Sequence, residues 1–260
     1  MKVAVAGKGG VGKTTLAAVL ARRWAAMGRS VIAVDADPDG NLPSALGVPP
    51  GRLPRPIAGM RDLVRERAGE GGGFFTMNPK VDDLPAKYSV EADGVRLLVL
   101  GTVETGGKGC LCPEGAVLKA LMQHLLLRIP EDVVLDMEAG LEHLGRASAR
   151  GVDAMVVVVE PGLRSVQTAL RIRTLGADIG IRRVVAVANK IRGPGETKVL
   201  RSALEGIPLL GVLPYSAALA RADLQGRPVD AGDSPFRDAV DRVGRALEGA
   251  LAGAGEGAGG

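Results

Sequence analysis

A chain of 260 residues with 46% hydrophobic side chains can bury one large core, and a chain of this size commonly forms a single α/β domain. The formal net charge of +4 is spread along the chain with no block of Lys/Arg, and aromatic residues make up only 2%, which argues against a nucleic-acid surface and a base-stacking platform. No apolar run reaches the ~18 residues of a membrane span, no leader is expected before the first apolar run, and two cysteines in this length indicate a reducing, cytoplasmic setting.

The first readable unit is Lys2-Val3-Ala4-Val5-Ala6, a short apolar run that reads as a buried strand. It leads into Gly7-Lys8-Gly9-Gly10-Val11-Gly12-Lys13-Thr14, which satisfies G-x-x-x-x-G-K-[ST]. Leu16, Leu20 and Met27, with Trp24, then recur at helical spacing. Strand, glycine loop and helix start are the setting a P-loop requires. Glycines let the backbone approach a phosphate, and the N–H groups of the loop and helix start form an anion cradle. Gly9, Gly10, Val11, Gly12, Lys13, Thr14 and Thr15 are therefore the candidate nucleotide-binding residues. Lys13 would reach the β/γ-phosphates, and the Thr14 hydroxyl would ligate Mg²⁺.

Lys8 is a second lysine inside the loop. In the form K-G-G-V-G-K-T the sequence resembles the deviant P-loop ATPases, the group of MinD-like, ParA-like, arsenite-pump and nitrogenase iron-protein ATPases. The resemblance implies ATP as ligand, a nucleotide-sandwiched homodimer, and a catalytic role for Lys8 on the partner's phosphates. Spacing alone implies none of this.

Further apolar runs follow at Val31–Val34, Leu97–Leu100, Val133–Leu135, Ala154–Val159, Val184–Ala188 and Leu209–Leu213, most of them separated by helix-length amphipathic segments. Near-continuous apolar strands alternating with helices predict an α/β, doubly wound, mostly parallel sheet of about seven or eight strands. Residues 1–251 are expected to form this one P-loop domain. The Gly/Ala-rich residues 252–260 are expected to be a disordered tail.

The second strand ends in Asp35-Ala36-Asp37-Pro38-Asp39-Gly40-Asn41-Leu42. Three acids after a strand suit turns and helix caps, but beside a P-loop they also face phosphate. The run resembles the family's switch I segment. By that match Asp37 is catalytic and orients the attacking water, with Asp39 and Asn41 lining the switch; Asp35 would support Mg²⁺ through water or cap the strand end. Residues 43–94 are rich in Pro and Gly and are the least legible part. Met60–Arg67 suits a short amphipathic helix, and Gly73–Tyr88 reads either as a partner-binding excursion or, in preference, as a surface loop with Phe74 and Phe75 tucked into the core.

After the third strand comes Gly106-Gly107-Lys108-Gly109-Cys110-Leu111-Cys112-Pro113-Glu114. Pro113 and Glu114 suit the first turn of a helix running through Val117, Leu118, Leu121, Met122 and Leu125. The only two cysteines thus sit on a glycine-rich loop at a helix N-terminus, a setting that favours thiolate. Two thiolates are too few for a closed soft-metal site, and a symmetric dimer would supply four. Small half-buried side chains without a ligand role, or a strained vicinal redox pair, are the other readings.

This C-x-C loop, residues 106–113 together with Glu114, and the run Asp136-Met137-Glu138-Ala139-Gly140-Leu141-Glu142-His143 resemble the CooC-type ATPases that mature nickel carbon monoxide dehydrogenase. The resemblance extends from residue 1 to about residue 216. It implies that Cys110 and Cys112 of two subunits bind Ni²⁺, with Zn²⁺ also possible, at the dimer interface, and that carbon monoxide dehydrogenase is the client.

Val133-Val134-Leu135-Asp136 is an apolar strand ending in an acid, so Asp136 is the expected Mg²⁺ carboxylate. Gly140 suits a switch hinge, while Glu138, Glu142 and His143 are left out of the metal assignment. Asn189 follows Val184–Ala188, where an amide can start a turn or pair with the ring nitrogen and exocyclic amine of adenine; the resemblance implies that it reads adenine. Pro214 and Tyr215 are expected beside the base. Leu163–Leu175 and Phe236–Leu251 are expected helices. Rival readings are a MinD/ParA-like positioning ATPase without a metal role, an iron–sulfur reductase with a bridging cluster, and a catalytically silent nucleotide-bound module. Neither nucleic acid nor membrane is expected as a partner.

Overall fold

The structure is a computed structural model, and it describes residues 1–69, 74–102, 112–138, 141, 144–225, 227–228 and 234–252. Cys110, Gly140, Glu142, His143 and the tail from 253 lie outside the described residues.

Among the described residues the seven apolar runs, joined by the short segment Val90–Ala92, form eight strands: β1 Lys2–Gly7, β2 Val31–Ala36, β3 Val90–Ala92, β4 Val95–Val99, β5 Asp132–Met137, β6 Ala154–Val159, β7 Val184–Ile191 and β8 Leu209–Pro214. They form one sheet in the order β3-β4-β2-β5-β1-β6-β7-β8. All neighbours run parallel except β3, which pairs antiparallel with β4. The sheet agrees with the expected architecture, with one edge strand the sequence did not reveal.

Among the described residues ten α-helices flank the sheet. On the way from β1 to β4 lie α1 Lys13–Ala26, α2 Leu42–Ala45, α3 Arg61–Ala68 and α4 Leu84–Tyr88. Then follow α5 Pro113–Leu127, α6 Arg146–Ala149, α7 Leu163–Ile179, α8 Pro194–Ala203, α9 Ala217–Leu224 and α10 Ser234–Ala252.

Strand side chains alternate between faces, and here both faces are buried. Val3 and Val5 join Leu16, Leu20 and Trp24 of α1 and Val240 and Val243 of α10 in one core. Ala4 and Ala6 face a second core with Leu121 and Leu125 of α5 and Ile172 of α7. Each fully buried Val, Leu or Ile contributes about 1.5–3 kcal/mol, and hydrophobic-in on both sides explains why the strands lack polar alternation. α10 spends its apolar face on β8 and α1, through Phe236, Ala239, Val240, Val243 and Leu247.

The helix starts follow local chemistry. Cys112 caps α5, its sulfur accepting the Gly115 N–H at 3.3 Å, with Pro113 at the first position and Glu114 in the first turn. α7 runs four residues past the expected Leu175 and stops where Gly180 takes φ +92°. Met27 falls just beyond α1 and is half exposed.

The 43–94 segment corrects one expectation. Phe74 is fully exposed, not tucked into the core, and Phe75 is only half buried. The segment is instead anchored by Ile57, Leu63, Val64, Val81 and Leu84, all buried in the α5-side core. Beside Phe74, the Thr76 N–H bonds back to Ala68 C=O at 2.8 Å. Leu84→Ala is expected to destabilise the fold by about 2–5 kcal/mol. Phe74→Ser is expected to change stability by less than about 0.5 kcal/mol. Denaturant unfolding of both variants checks this, and equal losses would contradict the assigned anchor.

Candidate nucleotide and metal site

β1 sits between β5 and β6, and the strand order runs outward from it in both directions, through β2 and β4 on one side and β7 and β8 on the other. Sheets of this kind bind ligands at the carboxyl ends, where the order reverses. A cleft of about 860 Å³ opens there, lined by Gly9, Gly10, Gly12, Lys13, Thr14 and Thr15 of the P-loop, by Asp37, Asp39 and Asn41, and by Asn189, Pro214 and Tyr215.

The loop geometry requires its glycines at two points. Gly7 has φ +148°, and a Cβ there would lie 2.5 Å from the Val158 carbonyl oxygen. Gly12 has φ +93°, and a Cβ there would lie 2.4 Å from Asn189 Nδ2. Gly12 C=O accepts the Leu16 N–H at 3.0 Å, the first turn of α1. Val11 is wholly buried and its side chain is outside the cleft wall, so only its backbone can serve a ligand.

Lys13 is 7% exposed, and its Nζ lies 3.6 Å from the Asp37 carboxylate. The carboxylate expected to orient water therefore holds the lysine expected to hold phosphate. Asp37 also accepts the Asp39 N–H at 3.1 Å, which shapes the switch turn.

Behind them lie two buried acids on adjacent strands, since Asp35 and Asp136 are register partners of β2 and β5. Asp35 accepts the N–H groups of Asp37 at 3.2 Å and Leu42 at 3.1 Å. It caps the strand end and frames the switch. Burial still pushes its carboxyl up to about 6. Asp136 has no exposure, and neither carboxylate oxygen has a hydrogen bond of good geometry among the described residues. Burial pushes its carboxyl up to about 7, against the lowering effect of the neighbouring Thr14 hydroxyl and Lys13; Asp35 and Asp37 add repulsion. Two orphaned buried oxygens beside a threonine hydroxyl suit a hard cation with oxygen ligands. The residues present thus fit Mg²⁺, held by Asp136 and Thr14.

At the far end, Asn189 is 4% exposed. Its Nδ2 donates to Val11 C=O at 2.8 Å, and its Oδ1 accepts the Lys190 N–H at 2.8 Å. One amide proton and one lone pair remain for a base edge. Tyr215 N–H donates to Ile191 C=O at 2.9 Å, and the Arg192 guanidinium stacks 4.4 Å over its ring.

Lys8 is outside the wall of its own chain's cleft and forms no ion pair with a described residue. Cys112 is half buried at the start of α5. Among the described residues no group of three or more His, Cys, Asp or Glu is placed to hold a metal ion, and no helix is long and apolar enough to cross a membrane.

Sequence reasoning missed Lys190, Glu160, Arg192 and Glu196, all of which line the cleft. Position directly after Asn189 was the one local signal for Lys190. The Arg192–Tyr215 stack joins residues 23 apart in sequence and left none.

A model of the CobQ/CobB/MinD/ParA nucleotide binding domain matches residues 2–229. The chain is 46% identical over 231 residues to the carbon monoxide dehydrogenase accessory protein CooC of Rhodospirillum rubrum, covering 87% of this chain and 88% of that protein. It is 38% identical over 250 residues to an ATP-binding protein of Methanocaldococcus jannaschii, covering 94% and 96%. Among solved structures, the septum site-determining protein MinD of Pyrococcus horikoshii with Mg-ADP aligns at TM-score 0.67 with 19% identity, over 95% of this chain and 96% of that one. That last likeness shows the fold alone.

The two raised carboxyls set a pH dependence. Folding lifts Asp35 and Asp136 from an ordinary value of 3.8 to about 6 and about 7. The protonated forms therefore favour the nucleotide-free fold; this contribution is full below about pH 4 and is lost as pH rises through about 6–7. Asp136→Asn is expected to raise the stability of the nucleotide-free chain by about 1–3 kcal/mol at pH 8. The gain should vanish near pH 4, and Mg²⁺-dependent hydrolysis should be lost. Thermal melts across this range check it; a gain independent of pH would contradict an unpaired buried carboxylate.

Proposed function

Because the chain belongs to the CobQ/CobB/MinD/ParA nucleotide-binding family and to its CooC-type ATPases, we propose that it is the homodimeric accessory ATPase that helps to insert nickel into a carbon monoxide dehydrogenase. The observation that carries this reading is the 46% identity to CooC across 88% of that protein. The reaction is ATP hydrolysis to ADP and phosphate.

The chain's own residues suggest how the cycle runs. The Lys13–Asp37 pair opens when phosphates enter, because an anion cradled at the loop competes for the ammonium. Lys13 then holds the β/γ-phosphates and Asp37 is released to orient water for in-line attack. Asp136 and Thr14 would hold Mg²⁺, which would supply positive charge against that developing on the phosphate oxygens. Lys8, which forms no ion pair with a described residue of its own chain, serves the phosphates of the second copy, as an arginine finger does. Asn189, Pro214 and Tyr215 receive adenine.

Nickel is cargo in this scheme. The cysteine loop leads directly into α5, whose first turn holds Cys112 through the Gly115 N–H at 3.3 Å. A thiolate accepts that bond better than a thiol, which favours the ligand form. Closing the dimer brings Cys110 and Cys112 of two chains together as a tetrahedral four-thiolate site. Hydrolysis separates the chains and releases the ion to the client. A positioning role would need an apolar face free for a membrane, and α10 spends its own on the core.

Replacing Cys110 and Cys112 with serine is expected to abolish stoichiometric nickel or zinc binding in anaerobic equilibrium dialysis. Circular dichroism and ATP affinity should remain unchanged. Metal binding that survives the double substitution places the site elsewhere and removes the C-x-C reading.

A further inference from the structure

The polar contacts at the end of β7 have a geometry that adenine recognition does not require. Lys190 has φ +58°, a left-handed conformation that is strained for a residue with a Cβ and that clusters at functional sites. Its N–H is fixed by Oδ1 of Asn189 at 2.8 Å. Its Nζ donates to Gly10 C=O at 2.6 Å and pairs with Glu160 Oε2 at 3.1 Å. Glu160, at the end of β6, is itself fixed: its N–H donates to the hydroxyl of buried Ser165 in α7 at 3.1 Å.

Asn189 and Lys190 thus grip two successive P-loop carbonyls, Val11 C=O at 2.8 Å and Gly10 C=O at 2.6 Å. A trans peptide is planar, with its N–H opposite its carbonyl. Holding these two oxygens from the β7 side sets the direction of the Val11 and Gly12 N–H groups. Gly10 and Gly12, at φ +78° and +93°, have the freedom to turn those peptides over, so an outside restraint has something to restrain.

We propose that Lys190 is a positioning residue of the ATPase reaction: by anchoring the Gly10 carbonyl to Glu160, it holds the P-loop peptides in the orientation that receives phosphate. The lysine acts through the loop and does not touch the reacting atoms. Glu160 keeps the ammonium on the carbonyl and off the anionic ligand. The proposal rests on the ATPase activity of the chain.

Glycine adopts φ +58° without strain, so Lys190→Gly deletes the amine while keeping the backbone. Its melting temperature should match or exceed that of the wild type. Lys190→Gly and Lys190→Met are each expected to raise KM for ATP and Kd for a fluorescent ATP analogue about tenfold, the scale of one lost charge-assisted hydrogen bond. kcat should fall less than about threefold. Lys190→Arg, which can still donate to both oxygens, should return both constants to within about threefold of the wild type. A wild-type Kd in folded Lys190→Gly overturns the proposal, as does an affinity loss that tracks melting temperature across the set. If the wild-type chain bound the analogue without turnover, the ATPase reading would fail; the Kd comparison would still judge Lys190.

Discussion

A sheet buried on both faces has nowhere to put chemistry except its ends. Helices α1 and α10 close one face and α3, α5, α7 and α8 the other. Between them the central strands β1, β2, β5 and β6 are buried along their whole length. Asp35, Asp136, Glu160 and Asn189 all lie at or just past a carboxyl end, around the single loop that leaves β1. The cost of that arrangement is visible in Asp136, a carboxyl without exposure whose burial outweighs the help of the neighbouring Thr14 hydroxyl and Lys13. An uncompensated buried acid is unfavourable until a cation or a proton arrives. The site is therefore built around ligands it must acquire, and the raised carboxyls of Asp35 and Asp136 reflect the same constraint.

Two ion pairs then divide the loop's work. Lys13 rests on Asp37 and can exchange that partner for phosphate. Lys190 rests on Gly10 C=O and Glu160 and holds the loop from behind. One lysine is poised to move and the other to stay. Lys8 takes part in neither pair.

Much of this was legible in the sequence because it is locally encoded. The positive φ at Gly7, Gly10 and Gly12 follows from the glycine spacing, and the apolar runs mark the central strands. Pro113 and Glu114 announced the start of α5, which begins at Pro113. Features set by distant partners were not legible. β4 begins at Val95, before the expected Leu97, because Arg96 breaks the apolar run while its guanidinium pairs with Glu131 at 2.6 Å. β3 is three residues long, too short to show a period. α8 buries only Leu200 and reads as polar. Phe74 looked like core by hydrophobicity alone, yet it is fully exposed. The grip of Lys190 on Gly10 spans 180 positions, beyond any local pattern.

In the proposed function, one chain holds half of an ATP site and half of a metal site, and nucleotide state couples them. Anaerobic metal analysis of the chain, loaded with nickel and separated by size in ADP or in a non-hydrolysable ATP analogue, tests it most directly. The account predicts one nickel per two chains, co-migrating with a dimer in the ATP analogue, and loss of that dimer and its metal in Lys8→Ala. Equal nickel content in both nucleotides on a monomer would contradict it.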